Sequence, residues 1–594
     1  MFSRDRAERD FRIVAGLARA LPNLIRSRPG QEFTVPDAIE AVARRSPNQV
    51  ALAFESESVT YAELNRSANQ VGRWAIAQGL NPGDVVALLM ENRPEFVVIW
   101  LGLSKAGLVT ALINTNLRGG PLAHSLKVSK ARHLIVGESH ATDWNEASLD
   151  SDLKLETWVS GGTSDSERDF DADRGRRSNA PLPASARAGR TSRDDLFYIY
   201  TSGTTGMPKA ARFSHRRFLM TSSGSMTLGE YRPSDRVYIT LPLYHTAGGV
   251  MALGGTLLAG ATAILSRKFS ASRFWEDCVR HDATVFQYIG ELCRYLVNSP
   301  PHPDEKRHRL RLAIGNGLRP EVWPTFQERF CIPRILEFYG ATEGNISMFN
   351  LSGKVGAVGR IPSWARRASG VHVLRFDVDA EDVVRGSDGF CTEADLGEPG
   401  ELVGRLNETS RFEGYTDAAA SEKKILRDVF KKGDAYFRTG DLLKVDDEGY
   451  FTFVDRVGDT FRWKGENVST GEVAEVLSSC SGIEEANVYG VEVPGTDGRA
   501  GMASLVVDET FSPKALLDAI KPSLPAYARP LFLRLLSEIE TTGTFKHRKV
   551  DSVREGFDPV KVADPLYLLD SQRGEYVVLN SDRHAQILSG ELRL

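Results

Sequence analysis

Leu196-Phe197-Tyr198-Ile199-Tyr200 runs directly into Thr201-Ser202-Gly203-Thr204-Thr205-Gly206-Met207-Pro208-Lys209. An apolar, strand-forming pentad leads into a turn of hydroxyls and glycines that ends on a lysine. Glycine allows positive φ and a close backbone approach to a ligand. Successive N–H groups in such a turn form an anion-binding concavity. The hydroxyls add donors and Lys209 adds charge, so the turn suits a polyphosphate. It is not a Walker A loop, which opens directly onto a helix after GxxxxGK[ST]. Here Pro208 precedes the lysine, Lys209-Ala210-Ala211 continues as a strand, and the helix starts near Ser214. A Rossmann fingerprint is also missing, since Gly315-Asn316-Gly317 is followed by Leu318-Arg319-Pro320 with no third glycine.

Outward from this turn, residues 36–135 alternate between two periods. Asp37–Arg45, Tyr61–Gln78 and Glu95–Ala106 have helical spacing, while Val85–Leu89 and Leu108–Leu112 read as buried strands. The alternation indicates a doubly wound α/β unit. A second α/β region is expected from about Leu196 to Val454, and a smaller α+β unit over the last 140 residues or so. Residues 161–194 are rich in Arg, Asp, Ser, Ala and Pro, carry few apolar anchors, and read as a mobile surface insertion. In residues 1–30, Phe11, Val14, Ala18, Leu21 and Ile25 form one helical stripe amid seven arginines and three acids. Such a helix lies in an anionic membrane surface or docks on the protein's own body.

The totals exclude several classes. At 594 residues the chain exceeds one simple core, and a net charge of −4 argues against nucleic acid as a partner. Five cysteines, at 278, 293, 331, 391 and 480, contain no CxxC pair and read as free, mostly buried thiols in a reducing compartment. The N-terminus is charged and lacks the apolar run of a signal peptide. Phe96–Asn114 and Ala247–Leu265 approach the length of a membrane span, but the second holds Gly248, Gly249, Gly254, Gly255 and Gly260. Packed core or a pocket wall is the better reading of both.

The nine residues from Thr201, placed after a strand, resemble the signature of the adenylate-forming superfamily. Five further segments resemble its motifs in the same order. These are Tyr339-Gly340-Ala341-Thr342-Glu343-Gly344-Asn345, Phe437-Arg438-Thr439-Gly440-Asp441, Asp455-Arg456-Val457-Gly458-Asp459, Lys464-Gly465-Glu466-Asn467-Val468 and Thr542-Gly543-Thr544-Phe545-Lys546. Phe461-Arg462-Trp463 before Lys464, Gly315-Asn316-Gly317-Leu318-Arg319-Pro320 and Asp564-Pro565-Leu566-Tyr567 are similar to the fatty acid transport protein and very-long-chain acyl-CoA synthetase branch. Phe545 replaces the glycine that most of the superfamily places before the lysine.

The resemblance implies a large N-terminal domain over 31–457, with doubly wound α/β subdomains and a distorted β-barrel. It implies a small mobile α+β domain over 458–594 and a hinge at Val457-Gly458-Asp459. It implies ATP, Mg²⁺ and CoA as cofactors and a fatty acid substrate. Thr201, Ser202, Gly203, Thr204, Thr205, Gly206 and Lys209 would cradle phosphates. Gly315, Asn316, Gly317, Tyr339, Gly340 and Ala341 would hold the adenine, and Asp441, an acceptor-only carboxylate, the ribose hydroxyls with Arg456 beside it. Thr342 would donate to the α-phosphate and Glu343 would ligate Mg²⁺, which takes few carboxylates and keeps phosphate oxygens. Lys546 would supply positive charge to the reacting oxygens. His245, Gly248 and Gly249 flank the expected acyl site, and the glycines after His245 read as a groove wide enough for an alkyl chain. His302 and His308 read as surface residues.

The activity so implied is an AMP-forming ligase for long or very long fatty acids, cytoplasmic or peripheral on the inner face of a membrane. The alternatives are a ligase for bulky sterol or bile-type acids, a membrane-associated fatty acid transport component, and acyl transfer to a separate carrier protein.

Overall fold

The computed structural model describes residues 27–149, 153–162, 168–202, 207–378, 380–408, 410–464, 466–494, 496, 498–539, 549–571, 573–592 and 594. It also describes residues 10, 14, 18, 21, 22, 25 and 26, and only the backbone at Ser202 and Val550. The chain forms two units: Met1–Leu318, Phe326–Gly353 and Asn407–Lys424 make the first, and Arg319–Thr325, Lys354–Leu406 and Ile425–Leu594 the second.

The first unit is built on two large sheets. One has the order Ser347–Asn350, Ile335–Gly340, Leu312–Asn316, Val285–Ile289, Arg236–Ile239, Thr262–Leu265, Val50–Phe54, Glu57–Thr60, with only its two outermost pairs antiparallel. The other runs Arg168–Asp169, Glu156–Ser160, His133–Gly137, Val85–Leu89, Val109–Leu112, Asp195–Ser202, Pro208–Ser214, and only its last pair is antiparallel. The helix Pro94–Lys105 is buried almost throughout, and one apolar core joins it to strands of both sheets. Its apolar run is therefore core, as expected. Lys105 is also buried there, held by Glu40, Asn65 and Asn69 at 2.6–2.7 Å.

Sequence order misplaces two strand pairs. Val50–Thr60 joins the sheet built mainly from residues 236–350, through the parallel register Leu52↔Ala263. Asp195–Ser214 joins the sheet of residues 85–160, through Ala111↔Tyr198. A short run buried on both faces carries no mark of which edge it will extend. The insertion reading of 161–194 also needs correction. Residues 168–194 form an edge strand, the helix Phe170–Gly175 and the turn Ala184–Arg187. Phe170 packs edge-on against Trp74, and Arg187 pairs with Asp37 and Glu40. One aromatic and several ion pairs anchor the segment in place of an apolar stripe.

His302 and His308 are half-buried rather than surface residues. His308 stacks on Trp275 and contacts the Phe330 carbonyl at 3.0 Å. Three of the five cysteines are buried, Cys480 is half-buried, Cys331 is exposed, and all are free.

In the second unit, residues 357–456 form a seven-stranded antiparallel sheet rather than a continuation of α/β structure. Of the sheets described, this antiparallel one is the counterpart of the distorted β-barrel that the family resemblance implies within residues 31–457. A five-stranded sheet from Ile483–Glu492 to Glu575–Val578 follows, covered by helices including Thr470–Ser478 and Pro513–Ile520, as an α+β unit requires. Among the described residues no helix is long and apolar enough to cross a membrane.

Candidate active site

In the larger sheet of the first unit, the parallel strands 285–289, 312–316 and 335–340 end side by side, in the registers Tyr288↔Gly315 and Gly315↔Glu337. Ligands of open α/β sheets bind at such carboxyl ends. Two motifs emerge there: Asn316-Gly317 after the second strand and Ala341-Thr342-Glu343 after the third.

The Gly315-Asn316-Gly317 loop is fixed by its neighbours. A side chain at Gly315 would strike the Tyr288 carbonyl at 2.2 Å, and one at Gly290 would strike the Gly317 carbonyl at 1.7 Å. Glu337, buried in the adjacent strand, accepts the N–H groups of Gly317 and Leu318 and the Tyr288 hydroxyl. Burial pushes its carboxyl up to about 8, against the lowering effect of those three donors. The sequence reading passes over Glu337 because a lone glutamate in a strand carries no local signal.

The Ala341–Gly344 loop is held from further away. Arg217, in the first turn of the helix His215–Leu228, donates to the Ala341 carbonyl at 3.1 Å, to that of Glu343 at 2.9 Å, and to that of Gly344. Its guanidinium also lies 5.1 Å from the Phe213 ring centroid. The Tyr415 hydroxyl donates to the Glu343 carboxylate at 2.9 Å. Burial and that carboxylate push the Tyr415 hydroxyl up, and the nearby Thr201 hydroxyl opposes them. Tyr415 thereby brings the Thr201 turn and the Glu343 loop together. Its backbone lies along the outer edge of strand Pro208–Ser214, through the Thr416 N–H to the Ala210 carbonyl at 2.9 Å and the Arg212 N–H to the Gly414 carbonyl at 3.0 Å. Thr246 Oγ1 donates to Thr342 Oγ1 at 3.0 Å, which brings the His245 segment to the same place. Arg217, Tyr415, Thr246 and Glu337 are all contacts that sequence reasoning missed.

Thr201 pairs with Lys209 and Ser202 with Pro208 across the hairpin, and both Thr201 and Lys209 are half-buried. Gly203, Thr204, Thr205 and Gly206 lie outside the described residues. Tyr339 is buried, in register with Met348, and Gly340 at the strand end is exposed. His245 is half-buried with its ring centroid 4.6 Å from that of Tyr244. The Leu241–Leu243 turn before it is tied to Asn92, which bonds the Leu241 carbonyl at 2.9 Å and the Leu243 N–H at 2.8 Å.

Gly248 and Gly249 sit in a π-helical turn, Thr246–Ala252, where added side chains would come within 2.5 Å of the Pro242 carbonyl and 2.0 Å of the Leu243 carbonyl. The groove reading of the later glycines is corrected. A Cβ at Gly254 would stand 2.2 Å from Ser222 Oγ and 2.7 Å from Phe218, and one at Gly255 would stand 3.4 Å from the Ser222 carbonyl. Gly254 lets the helices Leu253–Ala259 and His215–Leu228 approach closely, while a Cβ at Gly255 would meet the second helix in ordinary contact, so neither opens a groove.

Within the second unit, Phe437–Asp441 lies in the long strand Ala435–Val445. Asp441 is in register with Arg456, whose Nε lies 3.9 Å from its carboxylate. Arg438 is paired to Glu401 at 2.6 Å, and Thr439 donates to the Leu402 carbonyl at 2.7 Å. Gly440 has a φ of +77°, which a side chain resists. In the Asp455–Asp459 segment, buried Asp455 accepts the Thr470 N–H at 2.7 Å, and Gly458 has a φ of +88°. Lys549 reaches Asp459 at 2.9 Å and Thr470 at 2.8 Å. Lys546 lies outside the described residues. Among the described residues no three His, Cys, Asp or Glu side chains form a metal cluster. Glu343, half-buried and oriented by Tyr415, fits a metal that draws its other oxygens from phosphate.

Residues 39–415 match the family model described as AMP-binding enzyme, and residues 472–546 match the AMP-binding enzyme C-terminal domain. The chain belongs to the AMP-binding enzyme family. This AMP-binding enzyme is 44 % identical over 597 residues to the long-chain fatty acid transport protein 1 of Mus musculus, covering 99 % of this chain and 92 % of that protein. It is 42 % identical to the long-chain fatty acid transport protein 6 of Mus musculus, over 95 % of this chain and 92 % of the relative. A benzoate CoA ligase from Burkholderia xenovorans superposes with a TM-score of 0.74 at 22 % identity, over 88 % of this chain and 100 % of that one. At that identity the likeness speaks for the fold of the AMP-binding enzyme alone.

Proposed function

We propose that this AMP-binding enzyme is an AMP-forming ligase that joins a long or very long fatty acid to CoA. The observation that carries the proposal is the meeting of the Thr201 turn, the Glu343 loop and the His245 segment at the carboxyl ends of parallel strands, through Tyr415 and Thr246. The choice of acid rests on the names of the relatives. Thr201–Lys209 would cradle the ATP phosphates, and Gly315–Gly317 with Tyr339–Ala341 would hold the adenine. Asp441 and Arg456 would take the ribose. Glu343 would hold Mg²⁺, which when bound neutralises phosphate charge.

In the first step the acid's carboxylate oxygen attacks the α-phosphorus and pyrophosphate leaves. Thr342 donates to the α-phosphate and Lys546 neutralises the reacting oxygens. In the second step the CoA thiol loses its proton, its sulfur attacks the acyl carbonyl, and AMP leaves. Residues 458–594 would act as a small domain turning at Val457-Gly458-Asp459, where Gly458 already has the backbone freedom a hinge needs. His245, Gly248 and Gly249 would border the acyl group. Cytoplasmic placement against a membrane would fit the apolar stripe near the N-terminus, of which the described residues Val14, Leu21 and Ile25 are exposed.

ATP–pyrophosphate exchange measured over acids of increasing chain length, with and without CoA, tests the reading. Lys546→Ala should slow exchange by about 10²–10³-fold. Exchange supported only by bulky alicyclic acids would move the reading to a sterol-type ligase. The absence of ATP binding would remove it altogether.

A further inference from the structure

The chain has eight tryptophans, at positions 74, 100, 144, 158, 275, 323, 364 and 463. Seven are at most 7 % exposed, whereas Trp364 is 62 % exposed. It lies in the second unit, on the short helix Ser363–Ser369, together with Arg366 and Arg367. Directly after this helix, Gly370 stands against the side chain of Arg405. Two residues further on, the His372 ring lies 4.6 Å from that of Phe430, and exposed Lys431 and Lys432 follow Phe430. His372 also bonds Glu393, whose carboxyl is lowered by that bond and by the fields of Arg366 and Arg367. Five cations, Arg366, Arg367, Arg405, Lys431 and Lys432, therefore lie on the helix of this exposed indole or on the segments next to the strand that follows it. The acids beside them are engaged: Glu393 by His372, Asp428 by the Gly433 N–H, and buried Asp434 by the N–H groups of Val429, Phe430 and Lys431.

We propose that the Trp364 face binds anionic lipid, with the indole at headgroup level and the arginines and lysines on lipid phosphates. An indole pairs an apolar body with one N–H donor, and such side chains collect at the membrane–water boundary. Each Lys or Arg near an anionic leaflet adds about 1 kcal/mol. A protein partner needs about 800 Å² on each side around an apolar centre. Here the rest of the helix is alanine, serine and arginine, and Phe430 is half-buried, so that centre is missing. The face rests on neither the catalytic assignment nor the N-terminal helix.

The test uses the full-length protein with vesicles of phosphatidylcholine alone, or of equal parts phosphatidylcholine and phosphatidylserine, with brominated acyl chains. Residues 1–30 contain no tryptophan. The fluorescence difference between wild type and Trp364→Phe therefore reports Trp364 alone. That difference signal should be quenched on the mixed vesicles, spared on phosphatidylcholine, and restored by salt. Arg366→Ala with Arg367→Ala should weaken vesicle binding about 30-fold, which is two contributions of about 1 kcal/mol. Trp364→Phe should leave ATP–pyrophosphate exchange in free solution unchanged. Sedimentation with vesicles while Trp364 stays unquenched would assign binding to the N-terminal segment and overturn the proposal. A dimer in sedimentation equilibrium that Trp364→Phe dissociates would make a second copy the partner and overturn it equally.

Discussion

The Ala341–Gly344 loop and the Phe437–Asp441 segment carry neighbouring roles in the proposed reaction, yet they are held by opposite means. The first leaves its strand and is gripped from outside, by Arg217 on three carbonyls and by Tyr415 on Glu343. The second stays within a strand whose partners run on both sides, from Gly404↔Phe437 to Asp441↔Arg456. A ladder holds a residue through many redundant bonds, while a clamped loop depends on one or two side chains. Single substitutions should therefore be felt far more in the loop than in the strand.

The largest effect is expected from Arg217→Met, which leaves three carbonyls without their shared donor. Misplacing the loop by about 1 Å should cost about 10²-fold in ATP–pyrophosphate exchange. Urea unfolding should show a stability loss of about 3 kcal/mol. Arg217→Lys should recover little, because a single ammonium nitrogen cannot match the spread of the two guanidinium nitrogens that reach the three carbonyls. Exchange at the wild-type rate in Arg217→Met would mean the loop holds itself. Tyr415→Phe removes the hydroxyl that holds Glu343 and faces Thr201, and should raise half-saturating Mg²⁺ about tenfold. On the strand side, Glu401→Gln weakens the pair with Arg438 and should cost about 2 kcal/mol in urea. Exchange by the folded fraction should stay near normal there, and a collapse like that of Arg217→Met would erase the contrast.

Glu337 sharpens the comparison through pH. Its folded-state carboxyl sits at about 8 against an ordinary 4.5, so the native state keeps a proton that the unfolded chain has released. Its contribution is complete below about 4.5 and is lost as pH rises through about 8. Glu337→Gln should flatten that decline in urea midpoints between about pH 4.5 and 8. An unchanged slope would place the titration elsewhere. The smallest effect belongs to Arg456→Ala. That side chain is about half exposed and 3.9 Å from Asp441, so at most about 1 kcal/mol of ATP affinity is at stake.

Most helices and strands before residue 114 were legible because a period of 3.6 or a short buried run is written in adjacent residues, although the hairpin Val50–Thr60 was not read. Tyr61–Ala77, Val85–Leu89 and Pro94–Lys105 fall within a residue or so of that reading. Sheet membership was not legible, because a run such as Ala51-Leu52-Ala53-Phe54 fits either sheet. Gly254 and Gly255 read as open space and proved to be points of helix contact, since a glycine says only that something comes close. Residues 168–194 read as loose because charged anchors such as Arg187 are recognised only once Asp37 and Glu40 stand beside them.

By itself the sequence determined the chemistry available: a phosphate-suited turn at Thr201, a metal-competent Glu343, a ribose-suited Asp441 and the order in which they occur. Those properties belong to residue type and local spacing. Only the tertiary structure decided that Arg217 and Tyr415 orient the Glu343 loop and that Glu337 carries the Gly317 turn. It also left Trp364, alone among the tryptophans, facing outward. Such contacts join residues 72 or 126 positions apart, and no local pattern specifies a partner at that distance.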